Sequence, residues 1–333
     1  MTAAGAARLT RLYLVCPPCH TGHYPLDARL GVAGFVSPAA QRLLCLAGAS
    51  WSFDRAAAHL KEFCGLAVCD NTIRRACHDH GGAARGWQRD DPAAARPFRQ
   101  AGGDVEFQTD GTAVNTTGGW REMRLSIFAK RPRGAAGQDP PAPDVRVLTA
   151  GIRDGGQLGP QWRRQAARLG LTATAEVTVL ADGAKWIWAQ AAAHLPGARG
   201  VLDYYHAGER LGQAGRELFG ETPAAAAWAA GHRRTLLGAG GGRLLADLAA
   251  EGASRAGVVA YFAPHAEHLD YPGRRAAGQS IGSGMVEGAC KQVIGRRLKQ
   301  TGARWKVRRA DRMASLCGLI YSDLWDTYWQ QAA

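Results

Sequence analysis

The sequence lacks any 18-residue run that is apolar and free of charge, so no transmembrane helix is expected. Its first residues, MTAAGAARLTRLYLVC, lack the apolar middle of a secretory leader, which argues against secretion. Acids are scarce: 28 Asp and Glu stand against 41 Lys and Arg, for a net charge of +13. That imbalance favours a polyanionic partner, nucleic acid first among them. A second CxxC is also missing. Cys16-Pro-Pro-Cys19 is the single such pair among eight cysteines; in a chain not read as secreted, these are expected to be buried thiols or metal ligands rather than disulfides.

Cys16 and Cys19 supply half of a tetrahedral zinc site. His20 and His23 are close enough in sequence to complete one, though in a cramped geometry, and Cys64 and Cys69 fit poorly. Half of a broken ribbon, a Cys/His site and no metal at all remain open readings. Apolar content of 46% with 21% charged residues is that of a globular chain, and 333 residues can bury at least one full core.

Ser37 to Gly81 reads as three helices. Ser37-Pro38 is a cap followed by Pro at the first helical position. A second helix starts at Ser52 or Asp54 and ends at Gly65; a third is capped by Asp70 or Asn71. Arg74 and Arg75 near the start of the third suit a helix-turn-helix contacting DNA, and a plain three-helix bundle is the competing reading. Gly81 to Gly103, rich in Gly, Ala, Pro and Arg, reads as a connector.

Strand-like runs follow at Val105 to Asp110, Arg121 to Lys130 and Val145 to Arg153. A helix, a strand at Val177 to Ala181, a helix, a strand ending near Tyr205 and another helix come next. This order predicts an α/β fold with a mixed sheet. Asp110 and Asp182, each before a glycine, are expected at strand ends, and they become neighbours if the first strand pairs with the fourth. Gly212 to Ala277 reads as a helical insertion with a flexible break at Gly238 to Gly242.

The stretch Gln279 to Trp305 organises the rest. Ser280 or Ser283 caps a helix in which Val286, Cys290, Ile294 and Leu298 recur every fourth residue as an apolar face. Glu287 stands at its edge. From Glu287 to Arg312 there are nine Lys or Arg and two acids, Glu287 and Asp311. Lys291, Arg296, Arg297, Lys299 and Arg304 are expected to hold phosphates; Trp305 either stacks on a base or packs in the core. Asp110, Asp182 and Glu287 form a carboxylate set suited to divalent cations, Mg²⁺ above all.

TDGTAV at 109–114, LADGAKWIW at 180–188, LDYYHAGE at 202–209 and SGMVEGACKQVIGRRLKQTGARW at 283–305 resemble, across nearly the whole chain, prokaryotic insertion-sequence DDE transposases of the Kra-type family. The resemblance implies a ribonuclease-H-like core interrupted by a helical insertion, with Asp110, Asp182 and Glu287 as catalytic metal ligands and His206 and Glu209 in support. It implies metal-dependent cleavage and transfer of DNA strands with Mg²⁺ or Mn²⁺, and zinc only if the ribbon is completed. The expected organisation is a partial zinc-ribbon segment (1–33), a helix-turn-helix domain (34–82), a linker (83–102), the catalytic core (103–211), the insertion (212–277) and C-terminal core helices (278–333). Double-stranded DNA, both element ends and target, is the expected partner. A homo-oligomer on DNA, no membrane and a cytoplasmic, nucleoid-associated location are expected with it. Relative to that family, the chain is expected to begin midway through the ribbon. An inactive, truncated copy that only binds DNA is the alternative, and a host ribonuclease-H-like nuclease a third reading.

Overall fold

The computed structural model of the chain describes residues 1–30, 35–172, 175–252 and 255–332. In order, the first elements are β1 (Leu14–Val15), β2 (Gly22–His23), α1 (Pro25–Leu30), α2 (Pro38–Ser50), α3 (Phe53–Cys64), α4 (Asp70–Asp90) and α5 (Arg96–Gln100). The middle holds β3 (Asp104–Thr116), β4 (Gly119–Arg131), β5 (Val145–Gly151), α6 (Gly155–Arg168), β6 (Val177–Ala181), α7 (Lys185–His194), β7 (Arg199–Leu202) and α8 (Tyr204–Phe219). Helices α9 (Pro223–Ala250), α10 (Ala256–Phe262), α11 (Tyr271–Ala276), α12 (Gly284–Ala289), α13 (Arg296–Leu298), α14 (Val307–Tyr321) and α15 (Trp325–Ala332) follow. Among the described residues no helix is long and apolar enough to cross a membrane.

Two compact units share the chain. One gathers Met1–Ala94, Val114–Arg121 and Gln292–Ala333; the other gathers Ala95–Ala113 and Glu122–Lys291. The C-terminal block expected as one piece, 278–333, is therefore divided between them.

In the first unit, α2, α3 and α4 pack on one another and α14 lies along α4. Leu44, Ile73, Cys77, Met313 and Leu316 are buried there. Ser37 caps α2, accepting from the Ala40 N–H at 3.3 Å. Gly65 closes α3 in the left-handed region, φ 64°, where a side chain would be strained. The cap of α4 is Cys69, with Asp70 already in its first turn. The connector expected from Gly81 onward is instead helix as far as Asp90. A Cβ on Gly81 would lie 2.2 Å from the Arg312 carbonyl oxygen, so this glycine lets the α14 backbone cross at close range. The composition that reads as a linker marks a helix crossing.

The strands β1 and β2 pair antiparallel, and Cys16 and Cys19 lie in the turn between them. Among the described residues no third His, Cys, Asp or Glu ligand joins the two sulfurs within 4.8 Å.

The helix that follows Ser283 also departs from its expected stripe. α12 passes into a π-helical segment, Cys290–Gly295, before α13. The π turn takes an extra residue and rotates everything beyond it. The buried positions of the stretch are Val286, Ala289, Val293, Ile294, Arg297 and Leu298, while Cys290 is half-buried. Arg297 is 3% exposed. Its Nε donates to the Gly48 carbonyl at 2.6 Å, and its guanidinium lies 4.6 Å from the Phe53 ring and 5.1 Å from the Trp305 ring. Trp305 is 8% exposed; its indole N–H donates to the Leu298 carbonyl at 3.0 Å. Neither reaches solvent as expected of a DNA contact, whereas Arg75, Lys291, Arg296, Lys299 and Arg304 are exposed and Arg74 is half-buried.

The second unit is built on a five-stranded mixed sheet in the order β5-β4-β3-β6-β7. β4 and β5 run antiparallel, while β3, β6 and β7 run parallel. Phe107, Phe128, Leu158, Trp162 and Val179 fill one core. Leu202, Leu211, Leu236, Leu244 and Phe262 fill another under the helices of residues 204–276. The expected break near Gly238 is a kink inside α9 at Gly240, φ 79°.

Candidate metal and carboxylate site

The first long strand does pair with the fourth. In the β3–β6 ladder Gln108 faces Leu180, and in the β6–β7 ladder Ala181 faces Leu202. Continuing each register puts Asp110 beside Asp182 and Asp182 beside Asp203; the Asp203 N–H donates to the Ala181 carbonyl at 2.8 Å. Residues in register on neighbouring strands share a face, so three carboxylates form a row just past the mutually paired parts of three parallel strands. Asp110 does not end its strand as expected. β3 runs on to Thr116, and Asp110 sits where its parallel pairing with β6 stops.

Each carboxylate is held differently. Asp110 Oδ1 accepts from the Gly111 N–H at 2.7 Å, and the Cys290 thiol donates to Oδ2 at 3.7 Å. Burial, helped by the charge of Asp182, raises the Asp110 carboxyl above its ordinary range. Asp182 Oδ1 accepts from the Ala184 N–H at 3.0 Å, and its carbonyl accepts from the Trp188 indole at 2.9 Å, a local turn that fixes the side chain at the strand end. Among the described residues neither Asp110 nor Asp182 is in an ion pair with Lys or Arg.

Asp203 caps α8 and is fully buried, 0% exposed. Its Oδ1 accepts from the His206 N–H at 2.8 Å; Oδ2 accepts from the Ser283 N–H and, at 2.8 Å, from the Ser283 hydroxyl. Burial alone would raise its pKa, yet these donors together hold it below the usual carboxylate value. His206 Nδ1 lies 3.2 Å from Oδ1, an ion pair off the line of a hydrogen bond. The Asp203 carboxylate, opposed by partial burial and aided by Glu287 and Glu209, raises His206 to about 9.

The helix carrying Glu287 is pinned over these strands from two sides. The Val286 N–H donates to Gln108 Oε1 on β3 at 3.0 Å, and Ser283, at its N-cap, spends its hydroxyl on Asp203 after β7 rather than on the helix. Glu287 thereby comes beside His206. Ligand atoms of Asp203, His206 and Glu287 all lie within 4.8 Å of one another, a group that could hold a metal ion. Asp110 and Asp182 stand next to that group rather than in it. The expected set thus arrives in two parts: Asp110 with Asp182, and Glu287 with His206. Glu209 and His206 line a cavity together with Asp182.

Asp203 is the site residue that sequence reasoning missed. A signal for it exists: Val201-Leu202-Asp203 repeats the apolar-strand-then-Asp pattern of Leu180-Ala181-Asp182. Ser283 reads as a cap, and its role as the donor to Asp203 has no sequence signal.

In Asp203→Asn, His206 should titrate near the ordinary histidine value of about 6.5 instead of about 9, measured by NMR of ring-labelled histidine. The sign follows from linkage. A raised folded pKa contributes stability that is full below about 6.5 and is lost as pH rises through 9. Wild type should therefore lose more stability than Asp203→Asn between neutral and alkaline pH, and an unchanged His206 titration would contradict the pairing.

Compared with known proteins, the chain matches no family model and no curated protein.

Proposed function

We propose that the chain is a DDE transposase that cleaves and transfers DNA strands at a divalent-metal centre formed by Asp110, Asp182 and Glu287. The observation that carries this reading is the in-register row of aspartates just beyond the ends of β6 and β7 and beyond the β6-paired part of β3, with Glu287 brought in on α12. The residues fit a cation: burial and a neighbouring like charge raise Asp110, a tension that a divalent ion relieves. A divalent ion bound there, Mg²⁺ or Mn²⁺, supplies Lewis-acid polarisation of a phosphodiester.

The chain's own residues do the rest. Asp182 is oriented by its turn to Ala184, and Glu287 by the Gln108 and Ser283 hydrogen bonds of its helix. Asp203 holds His206 cationic beside Glu287, where it balances the glutamate's charge and can donate a proton to a leaving oxygen. The mixed sheet, followed by the helices of residues 204–276 before Glu287, supports a ribonuclease-H-like core with a helical insertion. The exposed cations Arg75, Lys291, Arg296, Lys299 and Arg304 suit contacts to the phosphates of double-stranded DNA.

The test is strand nicking by the full chain on DNA carrying the sequences that flank its gene. With Mg²⁺ or Mn²⁺ a nick leaving a 3′-hydroxyl is expected, and chelator should abolish it. DNA that is bound but never nicked in either metal would favour the binding-only reading.

A further inference from the structure

Beside Asp182, α8, α9 and α10 border a cavity of about 680 Å³. Its chemistry is unlike that of the carboxylate row. Arg210 and Arg216 of α8 and Arg233 of α9 line it, with Tyr261 of α10, against the carboxylates of Asp182 and Glu209. Arg216 pairs with Glu221, so Arg210 and Arg233 are the guanidiniums of the lining left without an acidic partner.

Two of the three arginines, Arg210 and Arg233, have no acid of their own. Arg210 Nε is buried without a hydrogen-bond partner, and its guanidinium lies 5.6 Å from the Tyr261 ring centroid. Among the described residues no carboxylate pairs with Arg210 or Arg233, whereas Arg216 Nε forms an ion pair with the exposed Glu221 at 3.7 Å. Arg233 is fixed in place: its Nε and Nη2 donate to the Gly208 carbonyl at 3.0 and 2.6 Å. Glycines make the seat. A Cβ would stand 3.0 Å from Arg233 Nε at Gly208 and 3.1 Å from its Nη2 at Gly212. A buried, orphaned guanidinium donor is costly unless an anion completes it, and a phosphate oxygen is the acceptor its planar fork fits best. The volume is that of a site for a nucleotide-sized ligand rather than a bare ion.

We propose that this cavity holds a backbone phosphate of a single DNA strand, next to the bond that the carboxylate site would cut. The proposal rests on the function proposed above, and it gives the helices after β7 a role. They present Arg233 and Tyr261 to the DNA strand beside Asp182.

The test uses the full chain in chelator, a 12-residue deoxythymidine oligonucleotide, and phenylglyoxal labelling of arginines read by mass spectrometry. With the oligonucleotide at roughly four times its Kd, labelling of Arg210 should slow about fivefold, the ratio 1 + [L]/Kd. Arg210→Gln should lower the log–log salt slope of oligonucleotide binding by about 0.7, the loss of one single-strand phosphate contact, and Arg210→Lys should restore it. Equal labelling with and without DNA, together with an unchanged slope in Arg210→Gln, would overturn the proposal. The two readings separate cleanly. Wild-type nicking in Mg²⁺ with no protection of Arg210 sinks this site alone; protection without any nicking sinks the proposed function and leaves the phosphate site standing.

Discussion

Asp182→Asn should reduce metal-dependent nicking by on the order of 10³-fold, because an ion's stabilisation of charge at phosphorus is worth several kcal/mol. DNA binding should survive, since the change keeps the shape and the Ala184 N–H can still donate to the remaining side-chain oxygen of the turn. The substitution removes one of two adjacent carboxylates, and its electrostatic partner should respond. Asp110, raised by burial and by Asp182, should lose the second of those causes and titrate lower. Gel assays of nicking and of binding on the same DNA check both halves. Nicking at the wild-type rate would remove Asp182 from the site.

Arg297→Ala should destabilise the unit that contains α2 and α14 by about 3 kcal/mol, from two desolvated cation–π contacts and a charged hydrogen bond, less the relief of a buried charge. Phe53, Trp305 and the Gly48 carbonyl are the groups left without it. Arg296→Ala and Lys299→Ala, both exposed, should change stability by no more than about 0.5 kcal/mol. Hydrogen exchange of α2 and α14 peptides in the three variants checks this. A DNA-contacting Arg297 would show the reverse pattern: intact protection with weakened binding.

The strands of the sheet are legible because alternation and β-branched runs announce them, and the strand expected at Val177 to Ala181 has those bounds in the fold. Ambiguous local chemistry misleads elsewhere. Gly111 after Asp110 reads as a terminator, yet the Thr-Ala-Val-Asn-Thr run beyond it continues the strand, and the far end of that strand pairs with Trp305: the Trp305 N–H donates to the Asn115 carbonyl at 3.1 Å. Gly81 and Gly82 read as a break because nothing in the sequence says that Arg312 will pass over them.

The π-helical segment is the hardest of these to see. A fourfold spacing of apolar residues predicts a regular helix and does not announce the π-helical turn; Arg297 lies buried beyond it, and Cys290, half-buried at its start, stands against Asp110. For the site itself, residue type and strand position are enough to nominate Asp110, Asp182 and Glu287. The Asp203–His206 pair needs the register of β7 against β6, which is a long-range fact.

Crystals of the full chain soaked in Mn²⁺ and measured at the manganese absorption edge test the proposed metal centre most directly. An anomalous peak is expected within coordination distance of the Asp110 and Asp182 carboxylates, on the side where Glu287 enters, and it should disappear in Asp182→Asn. A peak held only by Asp203, His206 and Glu287, or no peak at saturating Mn²⁺, would contradict the assignment.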